Sequence, residues 1–124
     1  MACRFFNFHR PKFHWLAFVF LFLSYDSLKA TAPDAFTSTA NRITFSGAHL
    51  HALVNPNALT TTITFEYGLT ASYGKTLTLS SKPNGSSPVF ITGQVIGLEA
   101  GKRYHYRVKA VNADGTSFGT DRIF

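Results

Sequence analysis

The sequence predicts an all-β domain, a two-layer sandwich of seven short strands, preceded by an N-terminal signal-peptide helix. Three observations carry this. Apolar and polar residues alternate with period two in several segments punctuated by turn residues beyond residue 42, and no helical periodicity follows the first thirty residues. The third is the stretch from Leu98 to Asn112, which reads as a sheet-to-sheet corner running into a central strand.

The first thirty residues form a separate regime. Arg4, Arg10 and Lys12 precede an apolar run from Phe13 to Leu23, and Ser24 to Ala32 then turns polar and small, the layout of a secretory leader. Cleavage after Ala32 satisfies the small-x-small rule but leaves Pro33 at the cut, whereas Ala30 avoids the proline, so the boundary is drawn after residue 30. An uncleaved anchor is the rival. Pro11 and the His9 to Lys12 segment interrupt the roughly 20 apolar residues that a spanning helix needs, and either reading places the domain at the cell surface or in secreted form. Seven of the thirteen Phe lie in this leader, as do four Lys/Arg against one Asp, so the remainder carries +3 of the chain's +6. Cys3, the only cysteine, lies there too. The domain must therefore hold together by burial without a disulfide, and no basic run marks it for nucleic acid.

Residues 31–42 are small and polar and read as a linker with an edge strand around Phe36; residues 43–124 are the domain proper. From Ser46 to Val54, Ala48, Leu50, Ala52 and Val54 face inward and His49, His51 and Leu53 outward, until Asn55-Pro56-Asn57 ends the strand. Thr60 to Tyr67 sets Ile63, Phe65 and Tyr67 inward and Thr62, Thr64 and Glu66 outward. A short strand around Lys75 to Leu79 follows, then a Ser/Lys/Pro/Asn/Gly loop from Ser80 to Pro88 and a strand from Val89 to Ile96. At the corner Leu98 plugs the core, Gly101 supplies turn freedom and Tyr104 is placed to fold its hydroxyl onto the turn backbone. Beyond it Tyr104, Tyr106, Val108 and Ala110 share the inner face, and His105, Arg107 and Lys109 the outer one. Asn112-Ala113-Asp114-Gly115 makes the last hairpin before a strand from Thr116 to Phe124.

Four pieces taken together, Val54-Asn55-Pro56-Asn57, Thr62 to Gly68, Ser72-Tyr73-Gly74 and Leu98 to Gly115, resemble the fibronectin type III-like repeats of bacterial surface and secreted proteins. The likeness covers about residues 43–124, and Ala58 departs from it where the family usually has glycine. It implies a seven-stranded immunoglobulin-like sandwich and no single activity. It also implies that the strand bearing Thr62, Thr64 and Glu66 runs beside the one bearing His105, Arg107 and Lys109.

Candidate chemistry is sparse. His49 and His51 face one side of a strand, but a metal site wants a third ligand, and the remaining His105 is expected on the other sheet. No metal or other cofactor is expected. The carboxylates Asp34, Glu66, Glu99, Asp114 and Asp121 are scattered, with no paired-carboxylate or Ser/His/Asp order, which argues against an enzyme. Asn84-Gly85-Ser86 is a glycosylation sequon in a reachable loop. The remaining candidate is a cationic row, His105, Arg107 and Lys109, beside Thr62, Thr64 and Glu66, with Arg107 suited to bidentate carboxylate contact. The expectation is a monomeric, non-catalytic exported module contacting a protein or glycan, the alternative a passive spacer from a larger multidomain protein.

Overall fold

The computed structural model describes residues 31–124, so the expected leader lies outside the described residues. Eight strands form two antiparallel sheets, with no helix among the described residues. The smaller sheet has the order β1 (Asp34–Asn41), β2 (Gly47–Asn55), β5 (Val89–Ile96). The larger has β4 (Lys75–Thr78), β3 (Thr62–Gly68), β6 (His105–Asn112) and β7 (Gly115–Phe118), with β8 (Arg122–Ile123) also paired to β6.

Alternation explains the layers. Ala48, Leu50, Ala52 and Val54 of β2, with Ile91 and Val95 of β5, meet Ile63 and Phe65 of β3 and Tyr106, Val108 and Ala110 of β6 in one buried core. Phe65 is fully buried and lies against Gly93, where an added Cβ would stand 2.9 Å from its ring. Each such side chain contributes about 1.5–3 kcal/mol by leaving water, and the disulfide-free core depends on that sum. Leu98 and Tyr104 close one end of the core, Gly101 takes a left-handed φ of 72°, and the Glu99 amide donates to the Tyr104 hydroxyl oxygen at 2.8 Å. Beyond Pro56, Asn57 and Ala58 adopt φ of 53° and 66°. Ala58 thus stands in the backbone region that favours glycine, which is where the sequence departs from its resemblance.

The expected seventh strand is two strands. β7 pairs with Lys109–Asn112 and β8 with His105 and Tyr106, and residues 119–121 step out between them. The cause is the crossing of β1. At Gly119 a Cβ would lie 2.2 Å from Thr37 Oγ1 and 2.6 Å from Thr37 N, so the last strand cannot run straight past β1 with any larger residue there. The step leaves the Val108 amide without a strand partner, and the Thr37 hydroxyl accepts its proton at 3.3 Å while the Gly119 amide donates to the Val108 carbonyl at 2.9 Å. Tyr106 donates its hydroxyl to the Ser38 carbonyl, and Arg122 Nε donates to the Thr37 carbonyl at 2.9 Å. β1 therefore belongs to the smaller sheet by its ladder to β2 and is fastened to the larger one by side chains.

Replacing Gly119 by alanine is expected to destabilise the protein by about 1–3 kcal/mol, since the added carbon meets the Thr37 backbone nitrogen at 2.6 Å as well as the short, buried side chains of Thr37 and Val108. Gly85→Ala, in open space, is the control. Equal urea midpoints for the two variants would contradict the crossing.

Candidate functional site

Strand register builds the candidate face. β3 and β6 pair antiparallel so that Glu66 lies opposite Arg107, Thr64 opposite Lys109 and Thr62 opposite Val111, and Gly68 faces His105. All six predicted residues, His105, Arg107, Lys109, Thr62, Thr64 and Glu66, are half-buried on the outer side of the larger sheet. Opposite charges directly across an antiparallel pair attract, and Arg107 Nε donates to Glu66 Oε2 at 2.6 Å. Thr64 Oγ1 reaches Thr78 Oγ1 on β4 at 3.1 Å.

Two aromatic rings clasp the guanidinium. Its Cζ lies 4.8 Å from the centroid of Tyr73 and 4.1 Å from that of Phe118, within cation–π range of both rings. Tyr73 arrives from the loop between β3 and β4 with a left-handed φ of 60°, and the loop folds so tightly that a Cβ on Gly68 would fall 1.7 Å from the Tyr73 carbonyl oxygen. Phe118 is the last residue of β7. Arg107, the residue suited by its sequence position to bidentate carboxylate contact, is thus already engaged by Glu66 and two rings, and its Nη groups are the donors without a hydrogen-bond partner among the described residues.

Asp121 completes the face. It lies in the step between β7 and β8, accepts the Tyr73 hydroxyl proton at Oδ1 (2.9 Å) and contacts His105 Nδ1 with Oδ2 (2.8 Å). Burial and then the bond to Asp121 push the Tyr73 phenol up to about 12, so this hydroxyl stays protonated and remains a donor at neutral pH. No hydroxyl or thiol is hydrogen-bonded to the His105 ring among the described residues, and the Asp121–His105 pair works as a brace between β6 and β8. Lys109 is the cation of this row with no carboxylate within ion-pair distance among the described residues, its Nζ 5.8 Å from the Phe118 ring. The face can accept a carboxylate at Lys109 and Arg107 Nη and hydrogen-bond it from the threonine hydroxyls.

The other outer face differs in kind. Phe36, Leu53 and Phe90 lie in one row across β1, β2 and β5 and are all exposed. His51, expected in water, is 7 % exposed instead: it stacks on Phe90 with centroids 5.1 Å apart, and its Nδ1 lies 3.0 Å from Thr92 Oγ1. Large neighbours on a three-strand sheet lean over the ring, and Nε2 is buried with no partner among the described residues. His49 is on this same face and His105 on the opposite sheet, and no three potential ligands gather as a metal would require among the described residues.

No protein-family model matches the chain, and neither does any curated protein. Among solved structures it is similar to the sensor domain of the anti-sigma factor RsgI4 from Pseudobacteroides cellulosolvens. The shorter form of that domain aligns with a TM-score of 0.56 at 15 % identity, over 79 % of this chain and 95 % of that one. The longer form gives 0.48 at 16 % identity, over 74 % and 86 %. At such identity the likeness is one of fold.

Burial, and then the charge of His49, lower the affinity of His51 for a proton below its ordinary 6.5. The unfolded chain binds that proton more readily, so the contribution of His51 is complete above about pH 6.5 and is lost as the pH falls through that value toward the folded one. Urea midpoints measured near pH 7 and near pH 5 should fall more for the wild type than for His51→Gln. Parallel losses in the two proteins would contradict the burial of this ring.

Proposed function

We propose that the chain is an exported, non-catalytic binding module of the fibronectin type III-like type, and that it contacts a carboxylate-bearing protein or glycan through the outer face of the larger sheet. The observation that carries the reading is the clasped guanidinium. Tyr73, Phe118 and Glu66 hold Arg107 in one orientation, and among the described residues its Nη groups have no hydrogen-bond partner and Lys109 beside it no carboxylate. Holding a donor in place before contact lowers the ordering entropy that binding must overcome.

Three further points support it. The described residues form two packed antiparallel sheets in which β3, bearing Thr62, Thr64 and Glu66, pairs with β6, bearing His105, Arg107 and Lys109. The leader layout of the first thirty residues fits export. The similar solved structure is the sensor domain of an anti-sigma factor.

The test is binding of the full chain to an array of acidic glycans and Asp/Glu-rich peptides, compared with Lys109→Glu and Arg107→Gln. The expected result is salt-sensitive binding weakened at least tenfold by Lys109→Glu, and weakened by Arg107→Gln with the fold intact by circular dichroism. Absence of binding, or binding that neither variant alters, would overturn this reading in favour of a passive spacer.

A further inference from the structure

Among the described residues, every strand edge of the sandwich is blunted except one. On the larger sheet β4 has four residues and begins at Lys75, and the opposite edge is divided between four-residue β7 and two-residue β8. On the smaller sheet β1 is bulged between Ser38 and Asn41 and fastened across to β6 and β8. β5 has none of these devices. Its eight residues, Val89-Phe90-Ile91-Thr92-Gly93-Gln94-Val95-Ile96, hold an unbroken register with β2 and contain neither charge nor proline. Among the described residues no strand lies on its far side. An edge of this length and character offers a row of unpaired N–H and C=O groups to another strand.

The sequence of β5 also selects which strand. Outward from Gly93 the residues mirror each other in character: Thr92 and Gln94 polar, Ile91 and Val95 apolar, Phe90 and Ile96 apolar. Two β5 strands paired antiparallel about a two-fold axis at Gly93 set Thr92 opposite Gln94, Ile91 opposite Val95 and Phe90 opposite Ile96. Residues opposite one another share a face, so Phe90 and Ile96, 65 % and 75 % exposed in one copy, would cover each other on the outer side. Ile91 and Val95 would extend the core layer. Moving the register by two residues either way pairs a polar residue with Phe90 or Ile96 and leaves the other without a partner. In the central register no charge meets its like.

We propose that the protein self-associates through β5 as a two-fold dimer, joining the two small sheets into one of six strands. The exposed row Phe36, Leu53, Phe90 then continues into Ile96 of the second copy, making one apolar strip across the joint. Such an isologous contact closes on itself and does not propagate. The Arg107 face lies on the other sheet of each copy, so both remain open and the dimer is bivalent. This departs from the monomer that the sequence alone led us to expect.

The experiment is sedimentation equilibrium of the purified full chain carrying Cys3→Ser, compared with the same chain bearing Gln94→Lys and Ile96→Lys. The two chains share their leader, so a difference between them reads β5. The expected result is a concentration-dependent dimer in the parent and a dissociation constant at least tenfold higher in the lysine variant, with unchanged circular dichroism. In a second arm, Thr92→Cys and Gln94→Cys proteins are oxidised together and separately. The mixture is expected to cross-link more than either protein alone, because the register places those two positions opposite each other. A parent monomeric at every concentration, association that the lysines leave unaltered, or cross-linking no greater in the mixture would each overturn the proposal.

Discussion

The constraint on which the rest of the structure depends is the crossing of β1 onto β6. Two sheets packed face to face without a disulfide can slide or open along their flanks, and burial, being non-directional, opposes sliding weakly. Here the Thr37 hydroxyl accepts from the Val108 amide, Tyr106 donates to the Ser38 carbonyl, Arg122 donates to the Thr37 carbonyl, and Gly119 admits the close approach. These contacts are directional and link the two layers at one register. They also displace residues 119–121 from the ladder, which is how Asp121 comes to lie beside His105 and Tyr73. The exposed site is in this sense a product of the crossing: the step that accommodates Thr37 delivers the carboxylate that braces the face.

The crossing divides the molecule into unequal halves. One flank has its edge strands fastened together, while on the other the edge of β5 is straight and uncharged. The two broad faces divide likewise. The larger sheet presents fixed charges and clasped rings, and the smaller presents a row of apolar side chains over a buried histidine. A charged outer face and an uncharged edge on opposite sheets can serve two contacts at once without competing for the same surface.

The layers were legible in the sequence because side chains alternate with period two: β5 and β6 keep that alternation strictly, and in β2 and β3 the inward positions Ala48, Leu50, Ala52, Val54, Ile63 and Phe65 are all buried where pattern places them. The corner was legible because Leu98, Gly101 and Tyr104 act within a few residues of one another. What alternation does not contain is contact between strands distant in the chain. His51 reads as an outward position, and its burial depends on Phe90, 39 residues further on, leaning across it. Phe118 and Tyr73 show no signal for Arg107 until β6 lies between them. Asp121 looked like one more scattered carboxylate, and only the split of the last strand brings it to the face. Gly119 held the clue to that split, since a glycine inside a strand pattern marks a bulge or a close backbone approach.

Amide hydrogen exchange at Val108, measured by NMR in the wild type and in Thr37→Val, tests the central claim most directly, because valine keeps the shape of threonine and removes only the acceptor. If β1 binds the two layers as described, the Val108 amide exchanges among the slowest in the wild type and about tenfold faster in the variant, the equivalent of about 1.4 kcal/mol, while amides on the β3 to β4 ladder change less. A Val108 amide that exchanges quickly in the wild type, or at the same rate in both proteins, would contradict it.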